Sequence, residues 1–112
     1  MTKSEIFNNV WQYFIVQKHP RATVDGNCQY RGSVSNCAVG CQLPDKLYAP
    51  VMDEENIPVT GLYNKFPAVK KYFGESNESL LFDLQDAHDQ HFPELEMTLR
   101  RIAKEFKITI KK

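Results

Sequence analysis

The chain has 112 residues, of which 42% are hydrophobic and 25% charged, and its 14 basic side chains balance its 14 acidic ones. This length and composition are typical of a single soluble domain, 1–112, rather than of a disordered or membrane protein. Because the basic residues are spread along the chain, we expect no nucleic-acid partner. No apolar run approaches the ~20 residues that span a bilayer, so we expect a cytoplasmic protein with reduced cysteines and no membrane contact.

The first predicted element is an amphipathic helix from about residue 4 to residue 18. Thr2 and Glu5 have the spacing of a capping box, and apolar side chains recur at helical spacing after them. Pro20 follows, and the residue before a proline is disfavoured in a helix. We therefore expect the helix to end near His19.

A β-hairpin is predicted next. Residues 22–24 and 28–31 have the character of two short strands, and the turn Asp25-Gly26-Asn27 between them is typical of hairpins. A two-stranded hairpin is marginal alone, and the β-branched segment Ile108-Thr109-Ile110 is a candidate third strand. The fold class is therefore predicted as α+β, a mostly helical single domain with a small β-hairpin.

The middle of the chain is predicted to hold a short helix and a long loop. Ser35 or Asn36 is suited to cap a helix that begins at Cys37, and Pro44 forces a break after it. Residues 49–63 show no helical or alternating period. We expect a long loop there, either a lid or a solvated connector.

Three further helices are predicted in the C-terminal half. One begins at Pro67 and stops at Gly74, and the next is Leu-rich, with His88 and His91 on one side. A last helix follows Pro93. The last two helices are joined by a short link, so we expect them to pack as an antiparallel hairpin.

The three cysteines suggest one place where chemistry could occur. A thiol at the start of a helix would lie at the positive end of the helix dipole, which lowers its pKa. Catalysis by Cys37 or Cys28, with His88 or His91 as the base, is therefore an alternative hypothesis. We expect no metal and no cofactor, because the paired Cys-x-x-Cys spacing of structural zinc sites is missing.

Two resemblances bear on function. The segment Asp25 to Arg31 resembles the nucleophile segment of ovarian-tumour-type deubiquitinating cysteine proteases, which would make Cys28 the nucleophile and His88 or His91 the base. The likeness covers seven residues. In that family the cysteine opens a long helix, whereas Gly32 and three polar turn-forming residues follow soon after Cys28 in this chain.

The second resemblance, to a set of small bacterial and phage proteins, spans nearly the whole chain. Its motifs are Asp-Gly-Asn-Cys-x-Tyr-Arg-Gly, Cys-Ala-Val-Gly-Cys-x-Leu-Pro-Asp-x-Leu-Tyr and Asp-Leu-Gln-x-x-His-Asp, here residues 25–32, 37–48 and 83–89. This resemblance implies a common fold and a phage or prophage accessory role. We therefore predict a protein that is not an enzyme and that binds a host or phage protein or a small ligand. The predicted site comprises Cys28, Tyr30, Arg31, Cys37 and His88.

Overall fold

The structure, a computed structural model, describes residues 1–24 and 27–111, and at residues 23, 24, 27 and 28 it describes the backbone alone. This part of the chain contains six α-helices, which are α1 Lys3–Trp11, α2 Val51–Glu54, α3 Val59–Lys65, α4 Pro67–Phe73, α5 Glu78–Gln90 and α6 Leu95–Glu105. Turns of 3₁₀-helix lie at Gly40–Gln42, Asp45–Leu47, Glu75–Asn77 and Phe92–Glu94. None of the described helices is long and apolar enough to cross a membrane.

The N-terminal helix begins as predicted. The Thr2 hydroxyl accepts a hydrogen bond from the Glu5 N–H, and the Glu5 carboxylate accepts one from the Thr2 N–H, which completes the capping box. After α1 the helix widens into a π-helical turn at Gln12–Val16. Lys18 then adopts a left-handed conformation with φ of 59°, and the helix is over before Pro20.

The predicted long loop at 49–63 is wrong, because α2 and most of α3 lie within it. Each of these helices is preceded by a proline, Pro50 or Pro58, at a position where the missing N–H removes no intrahelical bond. Both helices are too short to show a period in the sequence. Met52 and Leu62 nevertheless anchor them in the core.

Helix α5 packs against three of the other helices. It contacts α1, α3 and α6, and the short Phe92–Glu94 link brings α6 back against it, as the sequence predicted. The predicted helix from Pro67 is also confirmed as α4, which ends at Gly74 with φ of 100°. Leucines 80, 81, 84 and 99 are fully buried between these elements.

The predicted α+β class is wrong, because the chain folds as an all-α protein. Where a β-hairpin was expected, antiparallel pairing is confined to Thr23–Val24 and Asn27–Cys28 among the described residues, which is too short to form a layer. Part of the predicted turn, residues 25 and 26, lies outside the described residues. The second predicted strand does not continue, because a carboxylate on α2 accepts the Tyr30 and Arg31 N–H groups that a ladder would use.

The predicted third strand at Ile108-Thr109-Ile110 is also wrong. These residues form no β-ladder and lie against α1 instead. The side-chain amide of Asn8 donates to the Thr109 carbonyl and accepts from the Lys111 N–H, at 3.1 and 2.8 Å. The backbone groups of this extended segment are thus bonded to a side chain rather than to a sheet.

Candidate functional site

A cleft of about 410 Å³ opens between one face of α5 and the segment that joins α2 to the first residue of α3. We call this segment the Asn56–Val59 connector. Its floor is formed by the loop that precedes the first 3₁₀ turn and by α2. Most of its lining comes from two short stretches, one on each side. The lining residues are Arg21, Tyr30, Cys37, Met52, Asn56, Ile57, Pro58, Val59, Phe82, Gln85, Asp86, Asp89 and Gln90.

Tyr30 fixes the floor of the cleft to its connector wall. Its ring is buried, and its hydroxyl donates a hydrogen bond to the Ile57 carbonyl. Burial raises the pKa of the Tyr30 hydroxyl, so this group stays protonated and remains a donor at neutral pH. The Tyr30 hydroxyl therefore joins the connector to the floor of the cleft.

A carboxylate on α2 fixes the backbone of the same loop. Asp53 accepts hydrogen bonds from the Tyr30 N–H at 2.7 Å and the Arg31 N–H at 3.1 Å, one to each oxygen. The Tyr48 hydroxyl donates to the second oxygen at 2.7 Å. Hydrogen bonds to a charged acceptor are stronger than hydrogen bonds between neutral groups. Asp53 therefore holds the backbone of the floor loop against α2.

A hydrogen-bonded network on α5 forms the opposite wall. The Gln85 side chain accepts from the Val39 N–H at 3.1 Å and donates to Asp89 at 2.8 Å. Both ends of this amide are therefore bonded, and the amide joins α5 to the floor loop. The same Asp89 oxygen lies 2.7 Å from Nδ1 of His88.

The hydrogen bonds of His88 define its tautomer. The Ala22 N–H lies 3.1 Å from Nε2 of this fully buried ring. A backbone N–H can only donate, so Nε2 carries no proton, and the proton on Nδ1 is donated to Asp89. His88 is therefore a neutral bridge between the segment at Ala22 and the cleft wall.

The residues of the predicted site are only partly brought together. Tyr30 and Cys37 line the cleft, and His88 lies behind its wall. Arg31 does not line the cleft, since its guanidinium pairs with Asp45 at 2.8 Å. The side chain of Cys28 lies outside the described residues.

Arg31 and His91 belong to different surroundings from the cleft floor. The Arg31 guanidinium also donates to the Leu43 carbonyl and lies 5.3 Å from the centre of the Tyr48 ring. His91 is exposed, with Nε2 3.7 Å from Asp86. The contact between His91 and Asp86 is a weak surface pair.

The predicted helix start at Cys37 is wrong. Residues 38 and 39 form a turn, and the 3₁₀ turn begins at Gly40. The Ser35 hydroxyl bonds to the Asn36 carbonyl and lies 3.3 Å from the Tyr13 hydroxyl, so it caps no helix. Burial raises the pKa of the Cys37 thiol, the opposite of the shift that a helix N-terminus would produce, although the Gly40 N–H donates to its sulfur.

Sequence reasoning missed Asp53, Gln85 and Phe82. Asp53 lies in an acidic run that resembled a solvated loop, and no sequence signal pointed to its backbone partners. Phe82 did carry a signal. It is a large apolar residue beside the charged Asp83 and off the leucine stripe of α5, and it is 48% exposed at the cleft.

No group of three or more His, Cys, Asp or Glu side chains within the described residues could hold a metal ion. No protein-family model, no curated protein and no solved structure matches the chain. Function is therefore inferred from the cleft itself.

Proposed function

We propose that this protein is a non-catalytic binding protein that takes a small molecule in the cleft between the Asn56–Val59 connector and α5. The main support for this proposal is that hydrogen bonds of buried groups join both walls of the cleft to its floor. Tyr30 bonds to Ile57 of the connector, and Val39 bonds to Gln85 of α5. A cleft of about 410 Å³ is within the size range of small-molecule sites. A preformed site loses little conformational entropy when a ligand binds.

The lining favours a ligand that has an apolar body and a positively charged group. Phe82 offers an exposed aromatic ring, and Val59 also lines the cleft. The rim carries the carboxylates of Asp86 and Asp89 together with one guanidinium, that of Arg21. Helix α5 contains no lysine or arginine. The negative potential along this wall would attract a cation and repel an anion.

The surroundings of Cys37 support binding rather than catalysis. The thiol is buried and its pKa is raised, so it is neutral at physiological pH, whereas a nucleophile must form a thiolate. Nε2 of His88 is engaged by the Ala22 N–H and carries no proton. A cytoplasmic setting and a phage or prophage role form part of the proposal and rest on the sequence.

A titration with phenethylamine, a compact aromatic ammonium compound, tests the proposal by ¹H–¹⁵N NMR. We expect saturable shifts of the amide signals of residues 57, 59 and 82–90, and weaker binding of phenylpropionate, which has the opposite charge. Phe82→Ala should weaken binding about tenfold, because an aromatic pair contributes roughly 0.5–1.5 kcal/mol beyond its area. The matched control is Met97→Ala, which removes a 72% exposed side chain on α6 outside the cleft.

The proposal is wrong if phenethylamine and phenylpropionate shift the same signals equally, or if Phe82→Ala and Met97→Ala behave alike. Shifts confined to residues outside both cleft walls would also contradict it. Asp86→Asn provides a second readout, since it should weaken phenethylamine binding and leave phenylpropionate binding unchanged or improved.

A further inference from the structure

His88 is a titratable side chain in the core that does not itself line the cleft. Its ring is fully buried on α5, and the rings of Phe14 and Phe92 lie 5.4 and 5.5 Å from its centre. Histidine is the side chain whose charge ordinarily changes between about pH 5 and about pH 8. A buried histidine is therefore a place where a change in pH acts on the fold.

Both ring nitrogens of His88 already have partners. Nδ1 donates to the Asp89 carboxylate at 2.7 Å, and Nε2 accepts from the Ala22 N–H at 3.1 Å. A second proton can bind only to Nε2, because Nδ1 already carries one. The imidazolium would then direct an N–H at the Ala22 N–H, and two donors form no hydrogen bond with each other. The neutral ring fits this arrangement, and the charged ring does not.

The charged side chains described around His88 are those of Asp89 and Arg21. The Asp89 carboxylate favours an imidazolium, because an opposite charge stabilises the charged form. The Arg21 guanidinium, which donates to the Asp89 backbone carbonyl, opposes an imidazolium because it is a like charge. Tyr30 and Cys37 also interact with Asp89, but burial raises the pKa of both side chains, so they stay neutral. The pair with Asp89 therefore favours a protonated ring once residues 21 and 22 move away.

The segment at Ala22 also connects His88 to the cleft. Arg21 and Asp89 both line the cleft, and Gln85, which bonds to the same Asp89 oxygen, forms part of its wall. When Ala22 leaves the ring, Arg21 moves with it, because the two residues are adjacent in the chain. The imidazolium then balances the charge of Asp89, so the wall attracts a cation less strongly. Protonation of His88 would therefore change both the shape and the charge of the cleft.

We propose that His88 makes the cleft sensitive to pH. Protonation of Nε2 breaks the hydrogen bond from the Ala22 N–H, separates residues 21 and 22 from α5 and weakens the binding of a cationic ligand. The proton comes from the solvent, and the new N–H bond is the only covalent change. The effect on affinity rests on the proposed function, whereas the movement of Ala22 does not.

The test measures phenethylamine binding by ¹H–¹⁵N NMR at about pH 7.5 and about pH 5.5, between which histidine titrates while exposed carboxylates stay ionised. Binding to the wild type should weaken at least about fivefold at the lower pH, the low end of coupling between two sites. His88→Gln should bind equally at both pH values, because an amide oxygen accepts the Ala22 N–H and does not titrate. The matched control is His91→Gln, which removes the exposed histidine beside Asp86 and should keep the pH dependence of the wild type.

A measurement without ligand separates this inference from the proposed function. At the lower pH, the ring ¹⁵N signals of His88 should show both nitrogens protonated, and protection of the Ala22 amide from hydrogen exchange should fall at least about tenfold. An Ala22 amide that stays protected beside a protonated ring would overturn the inference, as would a ring that stays neutral until the whole domain unfolds. An equal loss of affinity in His88→Gln would also overturn it. If phenethylamine binds at neither pH, the proposed function fails, and if His88→Gln does not fold, its comparison is lost. In both cases the Ala22 amide of the wild type decides the inference.

Discussion

We expect Asp53 to contribute more to the free energy of unfolding than other acidic residues outside the core, although no sequence motif identifies it. Its carboxylate accepts from the Tyr30 N–H, the Arg31 N–H and the Tyr48 hydroxyl. A hydrogen bond to a charged group contributes roughly 1.5–3 kcal/mol, and the low end applies here because Asp53 is partly exposed. Asp53→Ala leaves two backbone donors without their acceptor, so the free energy of unfolding should fall by about 3 kcal/mol.

Related variants divide this loss among its partners. Asp53→Asn keeps one acceptor oxygen but places an amide N–H₂ against a backbone donor, so we expect a loss of about 2 kcal/mol. Tyr48→Phe should cost about 0.5 kcal/mol, since water can replace its hydroxyl contact. Asp45→Ala is the matched control, because the Asp45 side chain is 94% exposed and its pair with Arg31 should contribute no more than about 0.5 kcal/mol.

Urea unfolding followed by circular dichroism and by the fluorescence of Trp11 measures these differences directly. The two signals should change together if the domain unfolds in one step. Asp53→Ala should also weaken phenethylamine binding, because Tyr30 forms part of the cleft floor. A loss of unfolding free energy below about 0.5 kcal/mol for Asp53→Ala, equal to that of Asp45→Ala, would refute this role.

Three further predictions concern thiols, pH and a glycine. Burial raises the pKa of the Cys37 thiol, and it raises the pKa of the Cys41 thiol to about 12. Iodoacetamide at pH 8 should therefore alkylate the two cysteines of tryptic peptide 32–46 at least ten times more slowly in the folded protein than in urea. Equal rates would contradict this. The pKa of the Asp83 carboxyl is raised above 3.8, chiefly by burial, so the folded state binds the carboxyl proton more tightly than the unfolded state does. The stability that this proton contributes is therefore lost as the pH rises from 3.8 through the pKa of the folded state. Asp83→Asn should therefore raise the melting temperature at pH 7 and not at pH 3, and a gain of equal size at both would show that the charge is not the cause. A Cβ at Gly40 would lie 1.8 Å from the Tyr30 carbonyl oxygen. Gly40→Ala should therefore lower the free energy of unfolding, measured by chemical denaturation, by about 3 kcal/mol or prevent folding. A near-neutral effect would mean that the two backbones do not approach so closely.

The sequence predicts the helices that carry their own local signals. The capping box of Thr2 and Glu5, the proline at the start of α4 and the glycine at its end are each chemistry within a few residues. Helices α2 and α3 were missed because each depends on burial of a few side chains rather than on a repeated pattern. The α+β class failed for a related reason, since hairpin-like turn chemistry does not reveal that Asn8 and Asp53 bind the backbone of the expected strands.

The candidate site could be predicted only where its residues are close in sequence. Tyr30 and Cys37 were identified through the cysteine-rich and glycine-rich segment that contains them, and both line the cleft. Gln85 and Asp53 act through contacts 46 and 23 residues away along the chain. No spacing rule on a single sequence reveals such pairs, because they depend on how α2 and α5 pack around the loop.

In our proposal, the cleft beside α5 is a preformed site for a compact aromatic cation. A crystal structure of the protein with phenethylamine tests this most directly. We expect the ring of the ligand between Phe82 and Val59, its ammonium group within hydrogen-bonding distance of the Asp86 carboxylate, and the bond from Tyr30 to Ile57 unchanged. A cleft closed by its own side chains, or a ligand bound only at another surface, would contradict the claim.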